Sequence, residues 1–135
     1  MKLNWENKIE ESLVSEFYNT QSESSKAEAF EDTLAFGTAG IRGLIGLGPG
    51  RLNAFTVRKV AVGLAKYLND HKPESLVVIH FDTRFLSQEF AHEIAAMLAQ
   101  YGVKAVVGKR YNSTPELSFC LLYTSDAADD SLRVD

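Results

Sequence analysis

Cysteine is almost missing from this chain: a single residue, Cys120, excludes an internal disulfide. Long apolar runs are missing too. None approaches the roughly 20 residues needed to span a bilayer. The opening Met1-Lys2-Leu3-Asn4-Trp5-Glu6 lacks the apolar stretch of a secretory signal. These absences point to a reducing, cytoplasmic setting with no membrane partner. Basic charge is in short supply, with 14 Lys and Arg against 18 Asp and Glu and a formal net charge of −4. No basic face argues for nucleic acid. The acidity itself sits largely in Asp126, Asp129, Asp130 and Asp135 near the C-terminus and says nothing of partners. Internal repeats are absent as well.

What is present suits one small globular domain. The 135 residues are 45% hydrophobic and 24% charged, enough to bury a core without a disulfide or metal staple. Trp5, Ile9, Leu13 and Phe17 recur every four residues and predict a first helix. Asn19 to Ser25 is polar and serine-rich and reads as a linker; Lys26 to Asp32 predicts a short second helix. Leu34-Ala35-Phe36, ending at Gly37, predicts a strand. Asn53 is placed to cap a helix whose apolar face is Val57, Val60, Ala61, Leu64, Ala65 and Leu68, and Lys72-Pro73 ends it. Leu76 to Ile79 and Val103 to Val107 are continuous enough in apolar residues to predict strands buried on both faces. Between them Ser87 is placed to cap a helix with Phe90, Ile94, Met97, Leu98 and Tyr101 inward and Gly102 as its stop. Thr114-Pro115-Glu116 reads as a further helix start. Strand and helix alternate as in a layered α/β domain.

Three segments carry candidate chemistry. The first is Phe36-Gly37-Thr38-Ala39-Gly40-Ile41-Arg42-Gly43, within a run that also holds Gly46, Gly48 and Gly50. Closely spaced glycines let backbone N–H groups approach an anion. Thr38 adds a hydroxyl, and Arg42 a planar fork that matches phosphate oxygens. The spacing is neither a Walker loop nor the dinucleotide fingerprint, and a tight turn with an exposed arginine is the plainer reading. The second segment is Asp82-Thr83-Arg84 with Ser87, after a predicted strand, where open α/β sheets place ligand-binding groups. Arg84 is positioned to reach a phosphate; the plainer reading is an Asp–Arg pair that braces the loop. His80 at the strand end invites a catalytic role, though a structural one is the commoner fate of such a residue. The third is Asn112-Ser113-Thr114-Pro115-Glu116-Leu117, read as a turn that sets the next helix, with no chemistry assigned to Glu116. Lys109 and Arg110 read as solvated surface or as an aid to attracting an anion.

The string from Phe36 to Gly43 resembles the N-terminal signature of the α-D-phosphohexomutases, the superfamily of phosphoglucomutase and phosphomannomutase. Gly48-Pro49-Gly50-Arg51-Leu52-Asn53, followed by Thr56-Val57, looks closest to the phosphoglucomutase and phosphopentomutase branch, as does the leading helix with Trp5. The resemblance covers Trp5 to Phe119. Asn112 to Leu117 looks like the family's Pro-Thr-Pro turn with Ser113 in place of the first proline, and His80 stands where the family usually has glycine. The resemblance implies an α/β/α domain with a mixed sheet, the incomplete first domain of a multidomain mutase. It implies a helical lead over 1–33 and partial domain I over 34–119. It implies transfer of a phosphoryl group between the 1- and 6-positions of a hexose phosphate through a phosphoserine, with Mg²⁺ on the serine phosphate. Arg42 would stabilise phosphate at the reacting centre, and Gly37, Thr38, Gly40, Arg42 and Arg84 would bind substrate. The family's phosphoserine lies in a Thr-Ala-Ser-His-Asn-Pro loop; no such string occurs in the 135 residues. Ser125 lacks those flanks, and the family's Asp-rich metal loop belongs to a later domain. The fragment is therefore expected to be inactive, prone to aggregate through an unpaired sheet edge, and without metal ligands of its own.

Residues 120–135 show neither helical nor strand periodicity, and Cys120 to Asp130 resembles a translated sequencing-library adapter. The segment is expected to be a non-native tail, which disfavours a metal site at Asp126, Asp129 and Asp130. Should the tail be genuine, a non-catalytic phosphoester-binding module or an assembly fragment becomes the alternative, and the parent remains open between phosphoglucomutase, phosphomannomutase and phosphopentomutase.

Overall fold

A computed structural model describes residues 5, 10–38 and 40–117 of the chain. The expected tail, with Cys120, Ser125 and its aspartates, lies outside the described residues, as does Ile9. A 3-10 turn, Glu10–Ser12, leads into α1, Ser15–Thr20, and α2, Glu23–Glu31. A two-residue hairpin follows, β1 (Phe36–Gly37) and β2 (Gly40–Ile41), and then α3 (Ala54–His71), β3 (Leu76–Ile79), α4 (Ser87–Gln100) and β4 (Lys104–Val107).

The firmest part is the unit made by α3, β3, α4 and β4. Strands β3 and β4 pair in parallel, Leu76 opposite Lys104 through Ile79 opposite Val107. Such a pair needs a crossover, and α4 supplies it. Ala65 of α3, Leu98 of α4 and Val103 form the buried centre, with Leu68, Val77, Ile79, Ile94 and Ala105 packed around it. Arg58 of α3 and Glu93 of α4 form an ion pair across the helix contact. Helix α3 starts where Asn53 accepts from the Thr56 N–H, and the Thr56 hydroxyl accepts from the Asn53 N–H, a reciprocal capping box.

Several expectations change. The first helix is not continuous: Leu13 sits at φ 65, and the chain runs from a 3-10 turn through this left-handed residue into α1. The expected linker shrinks, because α1 reaches Thr20 and α2 begins at Glu23, with Ser22 accepting from the Ser25 N–H as its cap. The strand expected at Leu34 to Phe36 is instead the start of the antiparallel hairpin, Phe36 opposite Ile41 and Gly37 opposite Gly40. Parallel and antiparallel pairs both occur, in two separate two-stranded ladders. Ser87 does not cap α4. Leu86 takes the cap position at φ 58, and the Ser87 hydroxyl instead accepts from the Asp82 N–H. Ser113 rather than Thr114 receives the Glu116 N–H at the helical turn that starts near 114. Tyr101, expected inward, is exposed.

The strands β3 and β4 are not buried on both faces. Val77, Ile79 and Ala105 face the helices. Leu76 and Val106 remain 58% and 51% exposed. Among the described residues, helices cover one face of this pair.

The N-terminal layer is held by aromatic rings. The indole of Trp5 meets Phe30 of α2 and Phe55 of α3 edge-on, at centroid distances of 5.9 and 5.5 Å. Offset or edge-to-face geometry is what the aromatic quadrupole favours. No helix among the described residues is long and apolar enough to cross a membrane.

Candidate functional site

The hairpin has two chemically different faces because side chains alternate along each strand. Phe36 and Ile41 project to one side. With Trp5, Phe55, Val60 and Leu64 they line an apolar groove of about 810 Å³ against α3. Val60 and Leu64, expected in the helix's buried stripe, face this groove. The other side is a smaller cup of about 330 Å³, lined by Ala35, Gly37, Thr38, Gly40 and Arg42. The larger cavity is lined mostly by apolar side chains; of the two cations at it, Arg58 is paired with Glu93 and Lys59 is exposed. The smaller one combines glycine backbone, a hydroxyl and a guanidinium, a set whose chemistry suits an anion.

Gly40, the first residue of β2, sits at φ 104, a conformation side-chained residues avoid, and a Cβ there would meet nothing within 4 Å. Glycine at this position is thus favoured by backbone conformation rather than by crowding. Arg42 follows β2, is exposed, and has no hydrogen-bond or ion-pair partner among the described residues. An unpartnered arginine keeps all of its donors for a ligand.

Behind the cup, the second half of the glycine run is buried. Asn53 is wholly enclosed. Its side-chain amide donates to the carbonyls of Gly46 and Gly48, each at 2.9 Å, and of Arg51 at 3.2 Å. Its Oδ1 accepts from the Thr56 N–H at 3.1 Å. Gly48, at φ 119, lies so close to α2 that a Cβ would stand 2.6 Å from the Ala29 carbonyl oxygen. One residue therefore both starts α3 and gathers the loop that follows the hairpin. The sequence marks Asn53 as a cap; its loop-anchoring role has no local signal beyond the glycines that precede it.

Arg84 does not line the cup. It sits in a turn between β3 and α4, where the Asp82 carboxylate accepts from its backbone N–H at 3.1 Å and from its Nε–H at 2.7 Å. The Arg84 N–H is the main cause that holds the Asp82 carboxyl below the usual aspartate range. Burial opposes the shift, and the Arg84 guanidinium and Ser87 hydroxyl reinforce it.

His80, at the end of β3, packs against Gly108, where an added Cβ would stand 3.1 Å from the imidazole. Its buried Nδ1 has no hydrogen-bond partner among the described residues. The Oδ1 of Asn112 is in the same state, and the Asn112 N–H donates to the Phe81 carbonyl. Lys109, Arg110 and Glu116 are exposed. Among the described residues no group of three or more His, Cys, Asp or Glu is placed to hold a cation. The described residues do not fit the Mg²⁺ that the resemblance implies.

Comparison with known proteins agrees with the α/β architecture and extends it. The family described as phosphoglucomutase/phosphomannomutase, alpha/beta/alpha domain I, matches residues 33–129. A phosphoglucomutase of Staphylococcus saprophyticus is 58% identical over 121 residues, covering 90% of this chain and 22% of the relative. Phosphoglucomutases of Staphylococcus epidermidis and Staphylococcus aureus are 52% and 50% identical, over 91% and 87% of this chain and 22% and 21% of their own lengths. The chain thus spans about a fifth of the length of the curated relatives it matches. No solved structure gives a significant match. With its glycine hairpin, its β3–α4–β4 crossover and a family match across well over half its length, the chain belongs to the phosphoglucomutase/phosphomannomutase family.

Proposed function

We propose that this chain supplies a phosphate-contacting part of the active site of a phosphoglucomutase-type enzyme, which moves a phosphoryl group between the 1- and 6-positions of a hexose phosphate. One observation carries the reading: Gly37, Thr38, Gly40 and Arg42 share a single open cup, and Arg42 arrives there with no competing partner. Backbone N–H groups and a guanidinium suit the three equatorial oxygens of a phosphoryl group, whose transfer depends on positioning and charge neutralisation. Relatives at 50–58% identity bear the phosphoglucomutase name, which favours a hexose phosphate as ligand. Mg²⁺ would be held by residues outside those described.

The test is Arg42→Lys. In the 135-residue chain, glucose 1-phosphate titrated by NMR shifts the amides of residues 37–43, and the substitution weakens that binding. In a full-length mutase carrying this segment, kcat/KM falls about 10²–10³-fold, the usual cost of removing one preorganised donor to a reacting oxyanion. Unchanged kinetics remove Arg42 from the site.

A further inference from the structure

The second arginine differs from the first in being held. We propose that Asp82 is a positioning residue: it fixes the Arg84 guanidinium so that its two terminal nitrogens present an anion-binding fork beside the C-terminal end of β3. This rests on the reading that the chain contacts a phosphosugar, and adds a second contact point supplied by the 82–87 turn.

The turn is pinned from several directions. The Asp82 carboxylate takes both the backbone N–H and the Nε–H of Arg84, closing a ring across the turn. The Asp82 N–H donates to the Ser87 hydroxyl at 3.2 Å, and the Ser87 N–H donates to the Arg84 carbonyl at 3.1 Å. Phe85 packs its ring edge-on against Phe17 of α1, at a centroid distance of 5.3 Å. Leu86 is held at φ 58, a conformation that a bulky residue adopts only when its surroundings enforce it. Yet the side chain so fixed is 86% exposed, and its Nη1 and Nη2 have no partner among the described residues. An exposed Asp–Arg pair adds little to folding, so bracing alone is a weak reason for this arrangement. Fixing a long side chain in advance reduces the ordering cost that binding would otherwise carry. The carboxylate also repels a phosphate, which works in the opposite direction. The sign of the effect of its removal therefore separates positioning from mere bracing.

The experiment uses the full 135-residue chain, with inorganic phosphate and glucose 1-phosphate as probes, in a double-mutant cycle over Asp82→Asn and Arg84→Lys. Asp82→Asn weakens binding about three- to tenfold while Arg84 is present, the scale of immobilising one long side chain. It has no effect in the Arg84→Lys background. The Arg84 Nε–H signal, slow to exchange in the parent chain, is lost in Asp82→Asn. Ser87→Ala, which leaves both charges intact, weakens binding less and in the same direction. Tighter or unchanged binding in Asp82→Asn, or a loss that persists with Arg84→Lys, overturns the proposal. If neither probe binds the parent chain, the reading of the cup falls with it.

Discussion

One glycine-rich run builds two opposite environments. Gly37 and Gly40 are exposed and line an open cup, and a Cβ on Gly40 would meet nothing within 4 Å, while Gly43 lies exposed beside Leu34. Between 46 and 50 they are buried or half-buried, wrapped around Asn53 and pressed against α2. The Gly50 N–H donates to the Ala29 carbonyl, and the Leu34 N–H donates to the Pro49 carbonyl. The same residue type thus leaves backbone free for a ligand in the first half and brings two backbones together in the second. On the proposed reading, a packed second half beneath a sparse first half would let the loop offer N–H groups to an anion at a fixed position.

Removing the anchor has the largest effect expected. Asn53→Ala deletes the cap of α3 and leaves the carbonyls of Gly46 and Gly48 without their buried donor. The loss is about 3 kcal/mol, from a cap and buried acceptors left unmade. Urea denaturation followed by circular dichroism measures it. A change below 1 kcal/mol would mean that water replaces the amide and that the second half is not an anchor.

The next pair of substitutions sharpens the contrast directly. Gly48→Ala places a Cβ against the Ala29 carbonyl at a positive φ, so backbone must shift, at about 2 kcal/mol or more. Gly40→Ala meets no atom within 4 Å and suffers only the conformational penalty, about 1 kcal/mol. Thermal melts of the two variants rank them. For ligand binding the order reverses: Gly40→Ala reshapes the turn of the cup itself, so phosphate binding falls more there than in Gly48→Ala measured well below its melting temperature. Equal effects on both readouts would erase the distinction between the halves.

What the sequence made legible follows the same division. Helix α3 was readable end to end because its cap, its apolar stripe at Val57, Ala61 and Ala65, and its stop at Lys72-Pro73 are all local signals. The glycine and arginine content of the cup was readable for the same reason. Less visible was anything decided by contacts distant in the chain. Leu13 breaks a four-residue periodicity that otherwise predicts one helix, because Ser12 and Val14 are both drawn into the interior on either side of it. Ser87 has the chemistry of a cap, but the turn before it delivers the Asp82 N–H to its hydroxyl first. The apolar run of β3 and the strand that follows α4 signal burial on two faces, while α3 and α4 cover one. Composition reports what a strand is suited to; only the layer order reports what lies against it.

The smallest effect belongs to the second arginine and its carboxylate. With its pKa lowered in the folded chain, Asp82 binds protons less readily there than when unfolded. Its contribution is fully present above the unfolded aspartate pKa, near 3.9. It is lost as the pH falls through the lower folded value. At neutral pH the pair is exposed and screened, so Asp82→Asn changes stability by about 0.5 kcal/mol or less. Below that folded value the parent and the variant should melt alike. A difference that persists into that range would show that the aspartate supports the fold by something other than its charge. The Arg84 turn would then be a structural element like the Asn53 loop, and the contrast between held and open arginines would lose its second member.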